Sequence, residues 1–221
     1  MPRRSYLRRY GSHAEQVAEL TLPEGDGPFR VVALIHGGFW RARYRRDLMD
    51  ALADDLVARG LAAYNVEYRR LDAGGGWPES AQDVLAAIDD LGEQVDVVGH
   101  SAGGHLALIA GAEGRARRVV GQAPVADVAA AIEQGLGDGV VARFAGDAPI
   151  EEVSPVERAP LAVPVLLVHG EHDDTVPPSQ SEALAARGGD VTLSVRPGEG
   201  HYEHIDPHSG AWREVAAFLA S

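Results

Sequence analysis

A chain of 221 residues, 45% hydrophobic and 24% charged, has the composition of a folded globular protein long enough for one α/β domain, and neither disorder nor a fibrous repeat is indicated. The formal net charge of −13 argues against nucleic acid or an anionic membrane as partner, because phosphate would be repelled over most of the surface. The absence of cysteine excludes disulfides, thiolate metal sites and a cysteine nucleophile.

The start, M-P-R-R-S-Y-L-R-R-Y, has the arginine pairs of an export signal but not the apolar stretch that should follow. No window approaches the ~18 consecutive apolar residues of a membrane-spanning helix. The expectation is a cytoplasmic protein, monomer or homodimer, acting on a neutral or mildly polar small molecule.

In chain order, residues 14–22 alternate apolar and polar as a half-buried strand ending at Pro23. Residues 31–35 form a continuous apolar run, suited to a strand covered on both faces, and lead into His36-Gly37-Gly38-Phe39-Trp40. Residues 47–59 carry leucines at helical spacing and close at Gly60; a strand over 61–68 and a helix over 79–91 follow. After a strand, a turn and a helix around Ser101, residues 118–123 read as a strand. Residues 125–160 lose rhythm, with short helices near 128–133 and 140–144, and form a small cap-like excursion. Strands over 163–168 and 191–195 and helices over 179–187 and 210–220 complete one domain spanning 1–221. Alternating strands and helices predict an α/β architecture with a mostly parallel central sheet.

The stretch V-D-V-V-G-H-S-A-G-G-H-L-A-L, from Val95 to Leu108, is strand, sharp turn, helix. A serine at the tip of such a turn has a strained backbone, and glycines two residues before and after it, Gly99 and Gly103, prevent collisions between chain segments. This is the pattern of the α/β-hydrolase nucleophile elbow. A serine hydroxyl needs a base to take its proton, usually a histidine oriented by a carboxylate, and in that fold the chain order is serine, acid, histidine. P-V-L-L-V-H-G-E-H-D-D-T-V-P offers Asp173 and Asp174, with Glu171 more remote. R-P-G-E-G-H-Y-E-H-I-D offers His201, with His204 in reserve. His201, His204 and His208 are also spaced three and four apart around Glu203, but Gly200 and Pro207 disrupt the helix on which they could converge, so no metal is expected. The amides of Gly38, Phe39 and Ala102 are the expected donors to a developing oxyanion. Trp40, Trp77, Phe144 and Tyr202, on loops or on the excursion, are the candidates to line a substrate pocket.

H-G-G-F-W, G-H-S-A-G-G-H, H-G-E-H-D-D-T-V-P and G-E-G-H together resemble the serine hydrolases of the α/β-hydrolase fold, in particular the carboxylesterase and kynurenine formamidase (arylformamidase) branch. The resemblance covers nearly the whole chain. It implies a triad of Ser101, Asp173 and His201, the acid falling on Asp173 in H-G-x-x-D-x-x-V-P, no cofactor, and hydrolysis of a short ester or a formamide. Kynurenine formamidase proper is one alternative, and a catalytically silent ligand-binding protein on a hydrolase scaffold is another. The excursion is short for the family, a minimal cap.

Overall fold

The computed structural model describes residues 4–221, and its strands form one eight-stranded sheet. They are β1 (Arg4–Arg9), β2 (Val17–Leu22), β3 (Val31–Ile35), β4 (Ala62–Val66), β5 (Val95–His100), β6 (Ala116–Gln122), β7 (Val165–Gly170) and β8 (Val191–Arg196). Their spatial order is β1-β2-β4-β3-β5-β6-β7-β8; β1, β2 and β4 pair antiparallel, and every pair from β4 to β8 is parallel. The continuous apolar runs take the middle: β4, β5 and β7 are buried along their whole length, and β3 at all but its first residue. The edge strand β1 is largely exposed and arginine-rich, a composition that blunts an open edge against pairing with another chain.

The helices are α1 (Asp50–Ala58), α2 (Glu79–Asp89), α3 (Ala102–Ala112), α4 (Val128–Glu133), α5 (Val140–Ala145), α6 (Ile150–Val153), α7 (Ser179–Ala185) and α8 (Gly210–Ala220). On one face of the sheet, α1 and α8 pack on Val32, Leu34, Val98 and Val168, and the Trp212 indole N–H donates to Asp55 Oδ2 at 2.6 Å, joining the two helices. The other face, through Ala33, Ile35 and Val97, carries α2, α3, α7 and the excursion, whose three short helices are followed by a 3-10 turn over Pro155–Arg158. Helix α3 is buried from Ala102 to Gly111, which is why its sequence is apolar all round while α2 and α8 have a polar side.

The interior of β5 also holds a carboxylate. Asp96 has no exposed side-chain surface and is ringed by Arg117 at 2.7 Å, Arg118 at 2.9 Å and Arg30 at 3.5 Å. Burial alone would raise its pKa, but hydrogen bonds and charge from Arg118 and Arg117 hold it below the ordinary value. Arg118 also donates to the carbonyls of Phe218 and Leu219, so this ion cluster fastens the end of α8 to the sheet edge away from Ser101.

Candidate active site

The parallel strands bring their carboxyl ends to one edge, where open α/β sheets bind ligands. Ile35 is in register with Gly99, and His100 with Gln122, so the segments after β3, β5 and β6 emerge side by side. At the end of β5 the chain turns so sharply that Ser101 takes φ 56° and ψ −119°, a conformation rare outside glycine. Its N–H donates to the Gln122 carbonyl at 2.8 Å, and α3 begins at the next residue. A Cβ on Gly99 would run into the carbonyl oxygen of Gly103, and one on Gly103 into that of Ile35. Glycine at both positions is what lets strand, helix and neighbouring loop approach so closely.

Asp173 lies three residues beyond β7. Its Oδ1 accepts from the backbone N–H groups of Thr175 at 2.9 Å and Val176 at 2.8 Å, and its Oδ2 lies 2.7 Å from Nδ1 of His201 and 3.4 Å from Nε2 of His169. Burial pushes this carboxyl up, but hydrogen bonds from His169, His201 and the Val176 amide, with the charge of His201, outweigh it and hold Asp173 well below the usual carboxylate range. Asp174 is exposed and accepts from the Thr175 hydroxyl at 3.2 Å; Glu171, also exposed, accepts from the Gly198 N–H at 3.2 Å. Of the three carboxylates, Asp173 is the one that reaches His201.

His201 follows β8 through a tight return at Gly198, whose φ is 72°. With Nδ1 committed to Asp173, the imidazole has Nε2 left for the cavity it shares with Ser101. That cavity measures about 90 Å³, and Gly38, Phe39 and Tyr202 also line it. Ala102 begins α3 beside Ser101, with its N–H among those at the helix N-terminus that have no intrahelical partner. Tyr44, Leu48, His100, Thr175 and Ile205 complete the lining; His100 ends β5 beside Ser101, and the other four, which no local pattern marks, are placed by how the segments after β3, β7 and β8 fold back. His204 is fully buried, with ring centroids 6.2 Å from His100 and 6.3 Å from His169, and neither of its ring nitrogens has a hydrogen-bond partner. Burial, then the charges of His169 and His201, push it down to about 3.

Three expected pocket residues lie elsewhere. Trp40 is fully buried, stacked on Phe144 at 4.0 Å and 11°, with His105 edge-on at 5.3 Å. Trp77 joins the same cluster, 6.5 Å from Phe144 and 6.1 Å from His105. The reason is local: Gly38, Phe39 and Trp40 all have positive φ, at 106°, 50° and 51°, and this tight coil leaves Phe39 at the cavity while Trp40 enters the core beneath the excursion. No residue of the excursion lines the cavity.

Among the described residues no group of three or more His, Cys, Asp or Glu side chains is arranged to hold a metal ion, and no helix is long and apolar enough to cross a membrane. Of the histidines spaced three and four apart, His201 is tied to Asp173, His204 is buried and His208 is exposed.

The sheet order, the strained serine between β5 and α3, and the carboxylate-bound histidine after the last strand define an α/β hydrolase. The chain belongs to the prolyl oligopeptidase family, whose model matches residues 79–220, and to the family BD-FAE, whose model matches residues 19–133. Solved structures of the same fold include a truncated carbohydrate esterase from gut microbiota, with 21% identity over 98% of this chain and 95% of that one and a TM-score of 0.82. Esterase B from Lactobacillus rhamnosis is similar at 22% identity over 99% and 84%, TM-score 0.82. Esterase 2 of Thermogutta terrifontis, in a form phosphoramylated by tabun, is similar at 19% identity over 98% and 94%, TM-score 0.77. No curated protein sequence matches the chain.

Proposed function

We propose that the protein is a serine esterase that cleaves short-chain carboxylic esters, with Ser101 as nucleophile, His201 as base and Asp173 as its orienting carboxylate. His201 takes the Ser101 proton as the hydroxyl oxygen attacks the carbonyl carbon. The oxyanion is held by the amides of Gly38, Phe39 and Ala102, and the proton passes to the leaving alkoxide. Water, activated by the same imidazole, then releases the acid from the acyl-enzyme.

The observation that carries this reading is the 2.7 Å contact between His201 Nδ1 and Asp173 Oδ2 at a cavity that Ser101 also lines. A cavity of about 90 Å³ suits a small acyl group, and the similar structures named as esterases support an ester as the substrate.

Aryl formamide hydrolysis is the second reading. It is favoured by the H-G-G-F-W loop and by the same small cavity, since formyl is the smallest acyl group. Parallel rates on p-nitrophenyl acetate and N-formylkynurenine separate the two. The esterase reading expects the acetate to be turned over with the higher kcat/KM, a preference for the formamide makes the protein a formamidase, and no turnover of either would sink both.

A further inference from the structure

The loop that carries Gly38 and Phe39 is built in a way local sequence cannot sustain. Phe39 and Trp40 follow Gly38 in the left-handed region, at φ 50° and 51°. Non-glycine residues persist there only where their surroundings over-determine the conformation. The restraint comes from the segment that follows β4. The Tyr68 hydroxyl donates to the His36 carbonyl at 2.9 Å, and the Leu71 N–H donates to the Trp40 carbonyl at 2.8 Å.

The central contact is a carboxylate. Glu67 is fully buried; its Oε1 lies 2.9 Å from Nε2 of His36, and its Oε2 accepts from the backbone N–H of Arg46 at 3.1 Å. His36 precedes Gly37, and Arg46 opens the 3-10 turn Arg46–Met49 that leads into α1. The two oxygens of one side chain therefore hold the two ends of residues 36–46. Between those ends lie Gly38, Phe39 and Tyr44, all lining the cavity with Ser101, whereas Glu67 does not line it. Ion pairs to Arg70, itself buried, and to Arg45 at 3.3 Å favour the charged carboxylate, and Arg70 is paired in turn with Glu15.

We propose that Glu67 is a positioning residue for the oxyanion loop, a clamp on both its ends that sets where the Gly38 and Phe39 amides point. This rests on the serine-esterase reading of the site. Glu67→Gln keeps shape and size but replaces one acceptor oxygen with an amide that faces a donor, so one end of the loop is released. Misplacing oxyanion donors by about 1 Å costs on the order of 10- to 100-fold in rate while leaving ground-state binding intact.

The test compares wild type, Glu67→Gln and Ser101→Ala in kcat and KM for p-nitrophenyl acetate and in affinity for phenylboronic acid, which becomes tetrahedral on a serine hydroxyl. In folded Glu67→Gln, verified by circular dichroism, kcat falls about 10- to 100-fold, KM stays within about twofold, and boronate affinity falls by the same factor as kcat. Wild-type boronate affinity in that variant, with or without a loss of kcat, would overturn the clamp. If Glu67→Gln does not fold, Glu67→Asp carries the same readouts, since it keeps the charge against Arg70 but shortens the reach to the loop ends. Equal kcat and boronate affinity in Glu67→Asp and wild type would overturn the clamp. An inactive wild type removes the esterase reading and the clamp together; an active wild type with an unaffected Glu67 variant removes the clamp alone.

Discussion

The imidazole Nε2 of His100 lies 3.0 Å from the backbone carbonyl of His201, with the two rings 4.7 Å apart and tilted by 46°. The residue before Ser101 thus braces the loop that carries His201. Burial, then the charges of His201 and His204, push His100 well below the ordinary histidine value, so it is a neutral ring that donates this bond. Losing such a bond is worth about 1 kcal/mol. His100→Ala is expected to lower kcat on p-nitrophenyl acetate by roughly five- to tenfold, and His100→Gln, which can still donate, to recover part of it. Equal kcat in His100→Ala and wild type would show that the brace is idle.

Asp173 holds His201 through Nδ1 and remains ionised far below neutral pH. Asp173→Asn presents either an amide donor to a nitrogen that must itself donate, which inverts the tautomer, or an oxygen without charge, which leaves the imidazolium without its counter-charge. The expected loss in kcat is about 10³- to 10⁴-fold with the fold retained. Asp174→Asn, at an exposed carboxylate, is expected to stay within about twofold, and a reversal of that order would move the acid to Asp174.

Four buried histidines make stability depend on pH. His105 is pushed down to about 4 and His36 and His204 to about 3, all chiefly by burial, and His100 lies well below its ordinary value for the same reason. In the unfolded chain these rings protonate near pH ~6.5, so between there and the folded values the unfolded state binds more protons. Their contribution is fully present above about 6.5 and is lost as pH falls toward the folded values, by roughly 1.4 kcal/mol per pH unit for each ring. Denaturant unfolding at pH 7.5, 6 and 5 is expected to show that decline. His204→Leu, which removes a ring with no hydrogen-bond partner, should reduce its slope by about a quarter. A flat profile would mean that these rings are not held neutral.

Phe144 and Tyr202 separate packing from substrate contact. Phe144 is stacked on Trp40 in the core, whereas Tyr202 is 66% exposed at the rim of the cavity. Phe144→Ala is expected to cost about 3–5 kcal/mol in stability with KM little altered. Tyr202→Ala should raise KM several-fold with stability within about 0.5 kcal/mol. Thermal melts and KM values on the two variants check the assignment.

What could be read from the sequence follows from how local each cause is. Helices α4 and α8 fall on the residues expected for them, and the elbow is written in five adjacent residues, of which Gly99 answers a collision within the turn itself and Gly103 one with the end of β3. Asp173 was findable because it follows a buried strand with a short turn, and His201 because glycines mark the return after the last strand. Trp40 was misplaced because three successive positive φ values decide which side chain faces the cavity, and only Gly38 announces such a value in advance. Strand β1 was missed because its residues bury little and have no apolar face to mark them. The work of Glu67 and His100 depends on partners that only the folded chain supplies.

The proposed esterase activity turns on the hydroxyl of Ser101 as nucleophile, activated by His201. The most direct measurement is reaction of the folded protein with a fluorophosphonate, followed by mass spectrometry of the peptide containing residues 95–108. One adduct at Ser101, absent in Ser101→Ala and slowed by at least about a hundredfold in His201→Ala, is the expected result. No adduct on folded wild-type protein, or an adduct at another residue, would contradict it.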